Sequence, residues 1–175
     1  MKILIAYTVP INRFPVIGYL FSWAIRKFDK SQASHTCVIW YSNTAEEYIV
    51  YQAAEFSLHF VGYELFRQKN KMVRLFETEV TDNAYRAVMK YCLRKAGTRY
   101  GLKSVIGVGL KKIFKLKNNP FADGEKTQFC SETVGYIIKD VIGFRIDQDF
   151  EAIGVRQTLD IMIEYKEFRE VQPWL

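Results

Sequence analysis

Four stretches rich in β-branched and aromatic residues crowd into the first half of the chain, and the helical periodicity lies around them. Residues 2–8, 36–41, 48–61 and 72–80 read as strands, the second closed by the turn Ser42-Asn43-Thr44. Pro15 sits where a first helical turn tolerates proline, and residues 16–28 read as a helix ending in Arg26 and Lys27. A second helix takes Thr81 or Asp82 as its cap, gathers Ala84, Val88, Tyr91 and Cys92 on one face and stops at Gly97. Residues 101–114 follow a helical pattern despite two internal glycines. Asn118-Asn119-Pro120 and Asp123-Gly124 make 117–128 a loop. A further helix opens at Phe129 or Cys130 and ends at Gly143, and residues 155–171 read as the last one. Clustered strands with helices before and after them predict an α+β domain built on an antiparallel sheet.

With 175 residues, 49% of them hydrophobic, the chain fills one domain, residues 1–175. The longest apolar stretch, 14–25, is fenced by Arg13 and Arg26 and falls short of the roughly 18 residues a membrane span needs. The N-terminal run lacks a small-residue cleavage site and reads as a first strand rather than a signal peptide. Three cysteines, Cys37, Cys92 and Cys130, cannot all pair and are too widely spaced for a metal site. They predict a reducing compartment, and the expected location is cytoplasmic, of a bacterium or of a virus-infected cell. The net charge of +6 favours anionic partners, among them a lipid surface. Apart from Lys111, Lys112, Lys115 and Lys117 the basic residues are scattered, so no nucleic-acid partner is expected.

Cys130 carries most of the chemical information. Helical spacing puts it on the face of Val134, Ile137, Ile138 and Val141, in a first turn whose free N–H groups and dipole stabilise an anion. A thiolate there has a depressed pKa and is nucleophilic, and the same N–H groups serve an oxyanion. A thiol nucleophile needs a base, and the chain has two histidines. His35 opens a strand at a place where a side chain can border a cleft. His59 shares strand parity with Glu55 and Ser57, which reads as a solvated face. The base needs an orienting group. Along the 48–61 strand Gln52 is the lone polar member of the face Val50, Ala54, Phe56, Leu58 and Phe60, and it is the favoured orienter; Glu55, on the opposite parity, is the alternative.

Ser34-His35, Val50-Tyr51-Gln52-Ala53, Gly97-Thr98-Arg99-Tyr100-Gly101 and Phe129-Cys130-Ser131-Glu132, in that order, resemble the circularly permuted branch of the NlpC-type papain-like cysteine hydrolases over residues 1–143. The resemblance implies a permuted papain-like fold, with Cys130 as nucleophile, His35 as base and Gln52 as third member. Relatives often have an acidic residue or a second histidine near that third position. It also implies amidase or peptidase chemistry, while some relatives, the lecithin:retinol acyltransferases, move fatty acyl groups.

The expected activity is a cysteine hydrolase working through a thioacyl intermediate, with a peptide-like or acyl small molecule as substrate and no metal or organic cofactor. Tyr100 and the 117–128 loop should border the cleft, whose polar character would favour peptide-like over long fatty acyl groups. Ser131 and Glu132 should serve the helix start. The rivals are a lipid acyltransferase or acyl hydrolase at an anionic membrane surface, with the apolar 16–28 helix as its contact, and a non-catalytic binding protein on the same fold.

Overall fold

The computed structural model of the chain describes residues 1–11, 16–54, 56–122, 126–147, 150 and 153–173. Pro15, Glu55 and Asp123-Gly124, singled out above, lie outside them. The elements run β1 (Lys2–Pro10), α1 (Val16–Asp29), β2 (His35–Ser42), β3 (Glu47–Ala54), β4 (Ser57–Gly62), α2 (Tyr63–Lys69), β5 (Asn70–Glu79), α3 (Asp82–Lys95), α4 (Leu102–Phe114), α5 (Cys130–Tyr136), α6 (Val155–Glu164) and β6 (Arg169–Val171). All strand pairs are antiparallel, in the order β4-β3-β2-β1-β5-β6. The expected α+β class with an antiparallel sheet is what the chain adopts.

Alternation along the strands explains the two cores. Ile3, Ile5, Tyr7, Val38, Trp40, Tyr51, Ala53, Leu58 and Phe76 face the helical layer, where Val88, Cys92, Cys130, Val134, Ile137, Leu159 and Met162 meet them. Leu4, Ala6, Cys37, Ile39, Val50 and Leu75 face the other way, under Tyr63 and Phe66 of α2. Fully burying each large side chain contributes roughly 1.5–3 kcal/mol, so a sheet apolar on both faces fixes its own register.

Three expectations need correction. Residues 48–61 are two strands: β3 and β4 form a hairpin whose last paired residues are Ala54 and Ser57. The alternation runs on without a break across 48–61 and hid the reversal, because a two-residue connection leaves little turn signal unless it carries glycine or asparagine. The 155–171 helix stops at Glu164, and Arg169–Val171 pairs as β6 with Leu75–Glu77 of β5. The helix opening at Cys130 passes at Ile137 into a π-helical turn, Ile137–Val141, before Gly143 ends it at φ +90°. The α3 boundaries hold: Thr81 Oγ1 accepts the Ala84 N–H at 3.2 Å, and Gly97 terminates the helix at φ +84°.

Two glycines set close packing near Cys130. A Cβ on Gly135 would stand 1.9 Å from the Phe150 ring, and one on Gly107 would stand 1.8 Å from Asn119 Oδ1. Gly107 therefore does not weaken α4 for nothing: Asn119 lies against it and donates to Ser104 O at 3.0 Å.

Candidate active site

The ladder between β2 and β3 runs from Ser42–Glu47 to Val38–Tyr51 and stops there. The last residues of β3 and the first of β2 part at that end of the sheet, and the candidate residues collect around the opening. Gln52 bridges it with its side chain. Its Oε1 lies 2.9 Å from His35 Nε2, and its Nε2 lies 3.1 Å from Nε2 of His59, its partner across the hairpin. The far nitrogen of His59, Nδ1, is 3.1 Å from Ser57 O. If that nitrogen carries the proton, His59 Nε2 accepts from the amide, and Gln52 Oε1 accepts from a protonated His35 Nε2. One tautomer of each ring then satisfies the whole chain. His59, expected on a solvated face, is thus the far end of the row that fixes Gln52, and the hairpin is the reason.

Cys130 reaches the same opening from the helical layer. It is the first residue of α5, 3% exposed. The backbone N–H groups of Thr36 and Ser131, with its own, lie near enough to the sulfur to favour its charged form. Alternation gives Thr36 the α5 side of β2 and His35 the other, so the imidazole leaves the opposite face of the strand from the one α5 packs against. Gln52 and His35 are brought into hydrogen bond. Cys130 and His35 are brought to the same strand end, with no hydrogen bond between them among the described residues. Glu55, the alternative third member, lies outside those residues.

Electrostatics revise the expectation of a resting thiolate. Burial pushes the Cys130 thiol up to about 11, more than the three N–H groups pull it down, with Asp29's charge adding slightly to the rise. Burial pushes the His35 imidazole down to about 4; Gln52 opposes this and His59 reinforces it. At neutral pH the site therefore holds a neutral thiol and a neutral imidazole. Cys37 and Cys92 are raised further by burial. Cys130 also borders the cleft, which they do not. Limited iodoacetamide at neutral pH, read by peptide mass mapping, should mark Cys130 before the other two, though more slowly than an exposed thiolate. Preferential labelling of Cys37 or Cys92 would contradict the placement.

The cleft at the sulfur has a volume of about 270 Å³. Tyr100 lines it, as expected, but the described part of the 117–128 loop does not. Its walls are α1 (Ala24, Ile25, Phe28) and α4 (Val105, Ile106, Val108, Leu110, Ile113), with Phe129 and Val155 beside Cys130. The lining is apolar, where a polar one was expected. The sequence signal for these walls was present in the apolar stripe Leu102, Ile106, Leu110 and Ile113 of α4, at helical spacing.

A partly buried ionic strap ties the walls together. Asp29, at the end of α1, pairs with Lys112 of α4 and accepts the Arg156 N–H at 2.7 Å, capping α6. A Cβ on Gly154 would come within 2.6 Å of that carboxylate, so the approach requires glycine. The segment 97–101 closes the other end. Gly97 N donates to Leu58 O, Tyr100 N to Phe56 O and Gly101 N to Gln128 O, each at 2.8–2.9 Å, tying the hairpin to the chain that leads into Cys130. Gln128, fully buried, pairs with Tyr91 Oη. Ser131 Oγ donates to Ile153 O and Glu132 accepts the Phe129 N–H, the structural duties expected of both. Among the described residues no group of three His, Cys, Asp or Glu could hold a metal, and no helix is long and apolar enough to cross a membrane.

The fold is similar to that of the metalloprotein yiiX from Escherichia coli O157:H7 (DUF1105), whose crystal structure superposes with a TM-score of 0.64. The match spans 98% of this chain and 95% of that one at 14% identity, a likeness of fold. No protein-family model and no curated protein matches the chain.

Proposed function

We propose that the chain is a cysteine acyl hydrolase or acyltransferase of permuted papain-like fold, with Cys130 as nucleophile, His35 as base and Gln52 as the residue that positions the imidazole. The observation that carries the reading is the Cys130 sulfur itself. It stands at a helix start, ringed by backbone N–H groups, on the wall of a cleft and at the strand end that His35 opens. Cys37 and Cys92, by contrast, lie off the cleft.

Both groups are neutral, so the base acts in the attack rather than beforehand. Gln52 occupies His35 Nε2, so Nδ1 is the nitrogen left to take the thiol proton. The sulfur bonds to the acyl carbon, and the Ser131 and Cys130 N–H groups donate to the oxyanion. The bond from that carbon to the leaving oxygen, sulfur or nitrogen breaks, and the leaving group takes the proton from His35. Water or an acceptor alcohol or amine then gives its proton to His35, attacks the thioester and restores the thiol. The apolar lining favours an apolar acyl group.

His35 works as base only when neutral, so with its pKa near 4 the rate should be flat through neutrality and fall on an acid limb at about pH 4. Gln52→Ala should lower kcat roughly 10- to 1,000-fold, because geometry and tautomer are lost while the base survives. Gln52→Glu should keep much of the rate and move the acid limb to higher pH, since a carboxylate on Nε2 stabilises the imidazolium. An unchanged rate in Gln52→Ala, or an acid limb that ignores Gln52→Glu, would remove Gln52 from the site.

A further inference from the structure

The cleft is open on one side, and its outer lip is apolar. Phe28, Ile106 and Ile113 line the cleft and are each about half exposed. From these residues two helical stripes extend over the surface. On α1, Leu20, Trp23, Ala24, Lys27 and Phe28 share one face; on α4, Leu102, Ile106, Leu110 and Ile113 share another. Trp23 is 51% exposed, and Phe114, next to Ile113 at the end of α4, is 65% exposed. Contiguous exposed apolar surface of this kind marks an interaction site.

Charge identifies what it meets. The sequence of α4 contains no acidic residue, and the one acid of α1, Asp29, is buried in its pair with Lys112. Lys27 on α1 and Lys103, Lys115 and Lys117 in and after α4 are all exposed around the apolar stripes. Two parallel requirements, an apolar centre and an anionic surround, are met together by a membrane interface carrying anionic lipid. Neither helix is long enough to cross, so contact is at the surface.

We infer that the α1–α4 face docks on an anionic lipid bilayer, with Trp23, Phe28, Ile113 and Phe114 in the acyl boundary and the lysines at the headgroups. This seats the mouth of the cleft at the depth of lipid acyl chains. The docking is independent of chemistry. Delivery of a lipid ester's acyl chain to Cys130 rests on the function proposed above.

Vesicle flotation of Cys130→Ala protein tests the docking apart from the chemistry. Phosphatidylglycerol–phosphatidylcholine vesicles should carry the protein up, and pure phosphatidylcholine vesicles should carry far less. Trp23→Glu with Phe114→Glu should weaken binding at least tenfold. Charge reversal at Lys103, Lys115 and Lys117 should weaken it by roughly fivefold or more per site. Leu65→Glu, equally exposed but on α2 across the sheet, should leave it unchanged. Because every altered side chain is exposed, circular dichroism should show each variant folded. Failure to float with anionic vesicles overturns the inference, as does binding that Trp23→Glu with Phe114→Glu leaves intact. So does a dimer in sedimentation velocity that these two changes dissolve without any vesicle binding, since a second copy would then cover the face. Binding by active and Cys130→Ala protein alike, without release of acyl groups, would keep the docking and reject the chemistry.

Discussion

Cys130→Ala is expected to lower turnover of an activated acyl ester by about a thousandfold or more, and His35→Ala by a comparable factor, with no loss of folding. The two residues serve one step, so the double variant should be little worse than either single one. The expectation follows from the placement of the sulfur at a cleft wall among backbone N–H groups and of His35 at the same strand end. Urea unfolding should report similar midpoints for parent and variants, which separates lost chemistry from lost structure. His59 gives the internal control. It holds Gln52 from the side away from His35, so His59→Ala should cost far less than His35→Ala. Loss in His59→Ala with full activity in His35→Ala would exchange their roles.

The largest structural effect is expected at Gly135. Alanine there gains about 1 kcal/mol of helix propensity over glycine. Its Cβ, however, would stand 1.9 Å from Cδ1 and 2.1 Å from Cγ of a Phe150 ring that is itself buried. Forcing a methyl group into a filled core commonly costs 1–3 kcal/mol and more when backbone must move. Gly135→Ala should therefore lower stability by about 2 kcal/mol or more, seen as a lower urea midpoint at unchanged slope. Phe150→Leu combined with it should cost less than the sum of the two single changes, because the second removes the ring the first strikes. A Gly135→Ala variant as stable as the parent would show that Phe150 does not pack there.

The sheet was legible because β-branched and aromatic runs survive any reasonable window, and α3 because its cap, its periodicity and its glycine agree. The hairpin was not: Ala54 and Ser57 bracket a turn whose described member is Phe56, an apolar residue where turn chemistry would announce itself. That one omission reversed the parity of residues 57–61, and so His59 was assigned to solvent although it is hydrogen-bonded to Gln52. The helix α2 left no expectation at all, being two turns long. Cys130, His35 and Gln52 were nameable because each is a polar or reactive residue where the surrounding pattern calls for an apolar one. The cleft walls were missed for a different reason. Which helix lines a pocket depends on how α1 and α4 pack, and the Asp29–Lys112 pair that links them joins residues 83 apart in the chain. The depressed thiol pKa expected from a helix start was overturned by burial, a quantity that local sequence does not carry.

The pH response of the fold offers a reading of His35 without any substrate. Its pKa is lowered from the usual 6.5 to about 4, so the unfolded chain binds the proton more readily between those values. Stability from this residue is full above about pH 6.5 and is lost as pH falls toward 4, by up to roughly 3 kcal/mol. The corresponding slope should be absent from His35→Ala and should appear in the difference between parent and variant.

Trapping the acyl-enzyme tests the central claim most directly. Purified protein mixed with a slowly hydrolysed acyl ester or thioester at neutral pH, quenched in acid and digested, should show the acyl mass on the peptide containing Cys130. The adduct should be hydroxylamine-labile, as a thioester is, and absent in Cys130→Ala. Accumulation should slow markedly in His35→Ala. No adduct with either short or long acyl donors, or an adduct on Cys37 or Cys92 that persists in Cys130→Ala, would contradict the assignment of Cys130 as nucleophile.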